Sequence, residues 1–324
     1  MPIADAKRTM ARFNFSNVRS IIASNFANER ASYVAAFKQA GFTEITETDK
    51  AADVHAKIVE NEVDLVISDY KLSDGEICPV TYRARHSMIG NNPFVVVITL
   101  LTTSDNEIVN RAINSGTDAI LLKPVEPALL LDRIYQLANA RKRYVVTHDY
   151  IGPDKRKRSE MTPAGTPPPQ MDVPNAVRGR GSSKADAKMF QRSVEVANRQ
   201  LNELKVTQLA QQIDQIANKI LPAYEGGSPD DSVVQSIRHL LMVAKDMSRR
   251  IQGTPYAHAG QLCLTLQHIC QNLYASPMEP SDTDINFLPK LISAIRRAFQ
   301  LDEVAEDDIE ALIAEQLAAQ LDDI

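Results

Sequence analysis

Between residues 18 and 140, short β-type runs alternate with stretches whose apolar positions recur at helical spacing. The runs RSIIAS (19–24), EITET (44–48), DLVIS (64–68), FVVVIT (94–99) and AILLK (119–123) predict strands. Amphipathic helices are predicted between and after them, over 27–40, 50–60, 76–87, 105–115 and 126–140. The first, third and fourth runs are almost continuously apolar, as parallel strands covered on both faces must be. Five strands alternating with five helices predict an α/β domain over residues 16–140, built on a doubly wound five-stranded parallel sheet. A site in such a sheet lies beyond the carboxyl ends of the strands, where strand order reverses. Asp69 stands at one such end, in DLVISDYKLSDG, and a carboxylate there is costly without a partner.

From residue 141 the periodicity stops. Residues 141–184 are rich in Pro and Gly and hold ten Lys or Arg against four acids, so they predict a basic, largely disordered linker. Residues 1–15 are read as an N-terminal tail. From 185 to 324 the pattern is helical throughout, which predicts an all-α interaction or oligomerisation domain. Phe190, Val194, Ala197, Leu201 and Leu204 form a seam suited to a coiled coil or bundle. Leu209, Ile213, Ile216 and Ile220 resume the step after a five-residue jump. The later helices, over 231–251, 256–275, 284–300 and 305–322, are expected to cover the second group. That leaves 190–204 as a homodimer face. Ser228 or Asp230 is placed to cap the helix at 231. Residues 302–324 hold nine acids and no base, and the last helix carries Ile309, Ile313, Leu317 and Leu321.

Composition narrows the classes. The net charge of −5 on 324 residues is modest, and no apolar run reaches the ~18 residues of a membrane span. The first residues lack the apolar core of a signal peptide, so a cytoplasmic protein is expected. The three cysteines, Cys78, Cys263 and Cys270, are too scattered for a disulfide framework or a zinc site and are expected to be buried thiols.

Three chemistry-bearing features end separate strands: Asp69 the third, Thr99 the fourth, and Lys123-Pro124 the fifth. On these residues, 16–140 resembles the receiver domain of two-component response regulators. The resemblance implies that Asp69 is the phosphoacceptor, that Thr99 and Lys123 contact the phosphoryl group, and that the Lys123–Pro124 bond is cis. The chemistry agrees with the residue types. A carboxylate attacks phosphorus to give an acyl phosphate, and positive charge offsets the charge on the transferring group.

The resemblance also implies a pair of acids after the first strand that hold Mg²⁺. Counted back from the Gly41-Phe42 that ends the first helix, Ser24 and Asn25 take their places. The remaining metal candidates are Asp69, the Asn25 side-chain oxygen and the Lys71 carbonyl, which predicts weak binding or none. With Asp69 and Lys123 as the only charged groups the pocket is neutral, and the two are expected to pair. Ile120 stands where the family carries an aromatic.

The function expected is that of an atypical response regulator in phosphorelay signal transduction, working through contacts with a sensor kinase or a downstream target. No enzymatic activity is expected beyond self-phosphorylation of Asp69 from a phosphodonor. Three alternatives stay open. One is a phosphorylation-independent scaffold. Another is a nucleic-acid-binding regulator using the basic linker, although a solvated linker is the plainer reading. The third is a histidine-phosphotransfer-like helical domain using His239, where Met242 and Val243 stand in place of the Lys and Gly of that family.

Overall fold

The computed structural model describes residues 13–155, 167–179, 184–225 and 230–299. The chain divides into two compact units, residues 1–198 and 199–324. The expected 305–322 helix with Ile309, Ile313, Leu317 and Leu321 lies outside the described residues. So do Ser228 and most of the N-terminal tail.

In the first unit, β1 (Ser20–Ala23), β2 (Ile45–Thr48), β3 (Leu65–Asp69), β6 (Val96–Leu101) and β7 (Ala119–Leu122) form one parallel sheet, ordered β2-β1-β3-β6-β7. Two short strands, β4 (Lys71–Leu72) and β5 (Gly75–Glu76), make a hairpin after β3. The crossovers are α1 (Ala27–Gln39), α2 (Ala51–Val59), α3 (Cys78–Arg85) and α4 (Asn106–Asn114), and α5 (Pro127–Asn139) follows β7. Strand alternation sorts the side chains into two cores. Leu65, Ile67, Val96, Ile98 and Leu100 pack with Tyr33, Val34 and Phe37 of α1 and with Leu130 and Ile134 of α5. Val66, Val97 and Leu101 pack with Val54 and Ile58 of α2, Val80 and Ala84 of α3, and Ala112 of α4. Both faces are covered, which is why these strands read as unbroken apolar runs. Asp74 accepts from the Ala51 and Ala52 amides at 2.6 and 3.0 Å, so the SDG turn caps α2.

The reading of 141–184 as a largely disordered linker needs correction. Residues 141–155 and 167–179 carry β8 (Tyr144–Val146), β9 (Ile151–Pro153), β10 (Gln170–Met171) and α6 (Ala176–Gly179). The three strands form an antiparallel sheet, ordered β10-β8-β9. What holds it to the receiver-like core is buried charge. Asp118 accepts from Arg85 Nη2 at 2.9 Å, Arg141 Nε at 2.9 Å and the Val97 amide at 2.9 Å. Both guanidiniums lie against the Tyr144 ring, at 5.4 and 5.2 Å from its centroid. Arg141 also donates to the Tyr144 hydroxyl at 2.6 Å. Gly116 has φ +87°, and a Cβ there would meet the Ile151 carbonyl at 2.6 Å, so β9 approaches this turn only because glycine occupies it. Val177 joins the core of β1, α1 and α5.

The second unit contains the C-terminal part of α7 (Lys184–Glu225), with α8 (Asp231–Arg250), α9 (Gly260–Ala275) and α10 (Asp282–Phe299). Its core begins at Val206 and takes in Leu209, Ile213, Ile216 and Ile220, with Ile237, Leu266 and Leu291 from the later helices. The sequence phase jump therefore marks where this core starts. Asp230 caps α8, accepting from the Ser232 and Val233 amides at 3.0 and 3.1 Å. Cys263 and Cys270 are buried thiols, as expected, and so is Cys78 of the first unit. Of the seam expected over 190–204, Phe190, Val194, Ala197 and Leu201 are buried and Leu204 is half-buried. Among the described residues no helix is long and apolar enough to cross a membrane.

Candidate functional site

The strand order reverses beside β1, whose neighbours are β2 and β3. The carboxyl ends of β1, β3 and β7 carry Ser24, Asp69 and Lys123. Asp69 is buried and ends β3. Its Oδ2 accepts from Ser24 Oγ at 2.8 Å and from the Asn25 amide at 3.1 Å. Lys123 Nζ lies 2.6 Å from Asp69 Oδ1, with each side chain only 8% exposed. That contact is a buried ion pair. The pairing expected from sequence is present.

The sequence did not anticipate Glu29. Its carboxylate reaches in from the first turn of α1, placing Oε2 2.5 Å from Lys123 Nζ and 3.1 Å from Ser24 Oγ. The pocket is therefore not neutral through Asp69 and Lys123 alone: two carboxylates share one ammonium. Arg30 Nη1 closes the rim by donating to the Ser24 carbonyl at 2.5 Å. Phe26 lies over Lys123 Nζ, 5.4 Å from ring centroid to nitrogen. Tyr33 donates to the Val125 carbonyl at 3.1 Å. Its phenol is pushed up to about 12, first by burial and then by the Glu29 and Asp69 carboxylates. An acid in the first turn of the helix after β1 was the available signal, because that turn faces the strand ends.

Of the residues singled out from sequence, Ser24, Asn25, Lys71, Asp69 and Lys123 come together. The Asn25 side-chain amide donates to the Lys71 carbonyl at 2.9 Å. The Lys123–Pro124 bond is cis, as expected. Thr99 does not join them. It is fully buried, its hydroxyl donates to Thr117 Oγ1 at 2.9 Å, and it pairs in register with Ser68, whereas Asp69 pairs with Leu100. β6 runs on to Leu101, so Thr99 lies inside the strand and Thr102 is the exposed hydroxyl just past its end. His239 lies on the exposed side of α8, with Nε2 3.0 Å from the Gln212 side-chain amide.

These donors fit a divalent cation poorly. Both carboxylates are engaged by Lys123, and the Lys71 carbonyl is engaged by Asn25. Mg²⁺ needs near-octahedral oxygen ligation, and here Lys123 already offsets the charge of both carboxylates. A cleft of about 510 Å³ opens elsewhere, among Cys78, Tyr82, Arg111, Ser115 and Tyr150, and none of the pocket residues lines it.

The family model for the response regulator receiver domain matches residues 21–135. No curated protein matches the chain. Similar solved structures include the chemotaxis protein CheY4 of Vibrio cholerae, at 17% identity over 37% of this chain and 97% of that one, TM-score 0.33. The signal receiver domain of the response regulator NarL from Mycobacterium tuberculosis gives 19% identity over 39% and 99%, TM-score 0.35. A CheY-like receiver domain protein from Methanospirillum hungatei gives 26% over 37% and 93%, TM-score 0.34. Residues 21–135 are thus a response regulator receiver domain.

Proposed function

We propose that the chain is an atypical response regulator whose receiver pocket is closed by its own lysine, and that it signals through protein contacts. Asp69 is the phosphoacceptor position. Phosphorylation would proceed by attack of an Asp69 carboxylate oxygen on the phosphorus of a donor, with loss of the donor's leaving group. Lys123 would offset the added charge, and Thr102 is better placed than Thr99 to supply a hydroxyl at the strand end. In the resting pocket both Asp69 oxygens are occupied, one by Lys123 and the other by Ser24 and the Asn25 amide. That observation carries the reading: the nucleophile is held, and phosphorylation of the wild-type chain is slow or absent. The partners are a sensor kinase or a downstream target. The nucleic-acid reading loses ground because Arg141, part of the basic run, is buried against Asp118.

Incubation with acetyl phosphate and Mg²⁺, followed by intact-mass spectrometry, tests the proposal. Little adduct is expected on the wild-type chain, and a Ser24→Asp/Asn25→Asp variant should gain an adduct that Asp69→Asn abolishes. Rapid stoichiometric phosphorylation of the wild type would overturn it.

A further inference from the structure

We infer that Glu29 is a positioning residue that carries the charge state of Asp69 to the first turn of α1. The inference rests on Asp69 being the group whose charge changes. Two donors in the pocket are each shared by the same two carboxylates. Lys123 Nζ lies 2.6 Å from Asp69 Oδ1 and 2.5 Å from Glu29 Oε2. Ser24 Oγ lies 2.8 Å from Asp69 Oδ2 and 3.1 Å from Glu29 Oε2. A serine hydroxyl has one proton to donate, so at any moment it serves one acid or the other.

The division depends on the charge of each partner. If Asp69 loses its charge, Lys123 and the Ser24 hydroxyl pass to Glu29. If Asp69 gains charge, as in an acyl phosphate, they are drawn from Glu29 towards it. Asp69 is fixed in a strand end and buried, whereas the Glu29 side chain is 36% exposed and has room to move. The adjustment therefore falls on α1. Phe26, immediately before that helix, is 59% exposed and rests over Lys123 Nζ, so displacement of the ammonium alters an aromatic side chain at the surface. The Thr99 hydroxyl, committed to Thr117, takes no part.

A double-mutant cycle on the full chain tests this, read by backbone amide resonances. Asp69→Asn should shift the amides of Phe26, Asn28 and Glu29 in the wild-type background. In the Glu29→Gln background the same substitution should leave Asn28 nearly unmoved, whereas Phe26, whose amide donates to Ser24 Oγ at 3.3 Å, should respond in both backgrounds. The Asn25 amide is the internal control: it donates directly to Asp69 Oδ2 at 3.1 Å, so it should respond in both backgrounds. Equal shifts of Asn28 with and without Glu29, or no shift of Asn28 in either, would overturn the inference. Glu29→Asp, which keeps the charge, should restore part of the response, and a purely structural role would not give that recovery. The cycle uses no phosphodonor, so it can fail while acetyl phosphate still labels Asp69, and the reverse.

Discussion

Asp118→Ala should release the β8–β10 sheet from the receiver domain. The Asp118 side chain is 1% exposed, and it faces Arg85 at 0% and Arg141 at 3%. Truncation leaves two buried guanidiniums without their counter-ion, a change that costs about 3–5 kcal/mol when one partner of a buried pair is removed. Carbonyl oxygens temper the loss. Arg85 keeps Gly116, Pro93 and Val95 as acceptors, and Arg141 keeps Phe94 and Pro174. The lower end, about 3 kcal/mol, is therefore expected. That is a large share of the ~5–15 kcal/mol by which native domains are stable. Since about 1.4 kcal/mol is tenfold in an equilibrium, amide exchange in β8 and β9 should accelerate by roughly a hundredfold. Hydrogen exchange read by mass spectrometry follows those segments in the intact chain. Asp118→Asn, which retains an oxygen for the Val97 amide, should fall between. Exchange at β8 and β9 unchanged in Asp118→Ala would refute the claim that this ion network fastens the sheet.

Two further outcomes follow from buried groups. Burial lowers Lys155 to about 8, with Arg85 and Lys142 adding to the fall and Asp118 opposing it. Its folded pKa lies below the unfolded value, so the penalty is fully present below about 8 and is relieved as pH rises towards ~10.4. Lys155→Met should therefore be more stable than the wild type at pH 7, with the gap closing across that window; a constant gap would count against the assignment. Cys263 and Cys270 are both pushed up to about 12 by burial, so neither should react with Ellman's reagent in the native chain at pH 8. Prompt labelling of either without denaturant would show that the helical core opens.

β1, β3 and β6 were legible because parallel strands buried on both faces leave apolar runs in the sequence, whereas the edge strand β2, ITET, carries no such run. The helices between them were legible through their periodicity. β8, β9 and β10 left no such trace. They are two or three residues long, and they are secured by Arg85 and Arg141 both meeting Asp118, partners far apart in sequence. The basic residues that read as a solvated linker include the one that makes this contact. Thr99 misled because the apolar run was taken to stop there, while β6 extends to Leu101 and strand parity turns the threonine away from Asp69. Glu29 was passed over because the acids were sought only at the end of β1. Which side chains of the following helix turn reach the pocket is set by tertiary geometry.

The central claim is that Lys123, shared by Asp69 and Glu29, supplies the positive charge that a metal ion would otherwise bring to this pocket. Mg²⁺ titration of the unmodified chain, followed at the amides of Asn25, Asp69 and Tyr70, tests it most directly. The account predicts no saturable shift below the millimolar range, and saturable binding once Ser24→Asp and Asn25→Asp supply two more carboxylates. Saturation of the wild-type amides at sub-millimolar Mg²⁺ would contradict it.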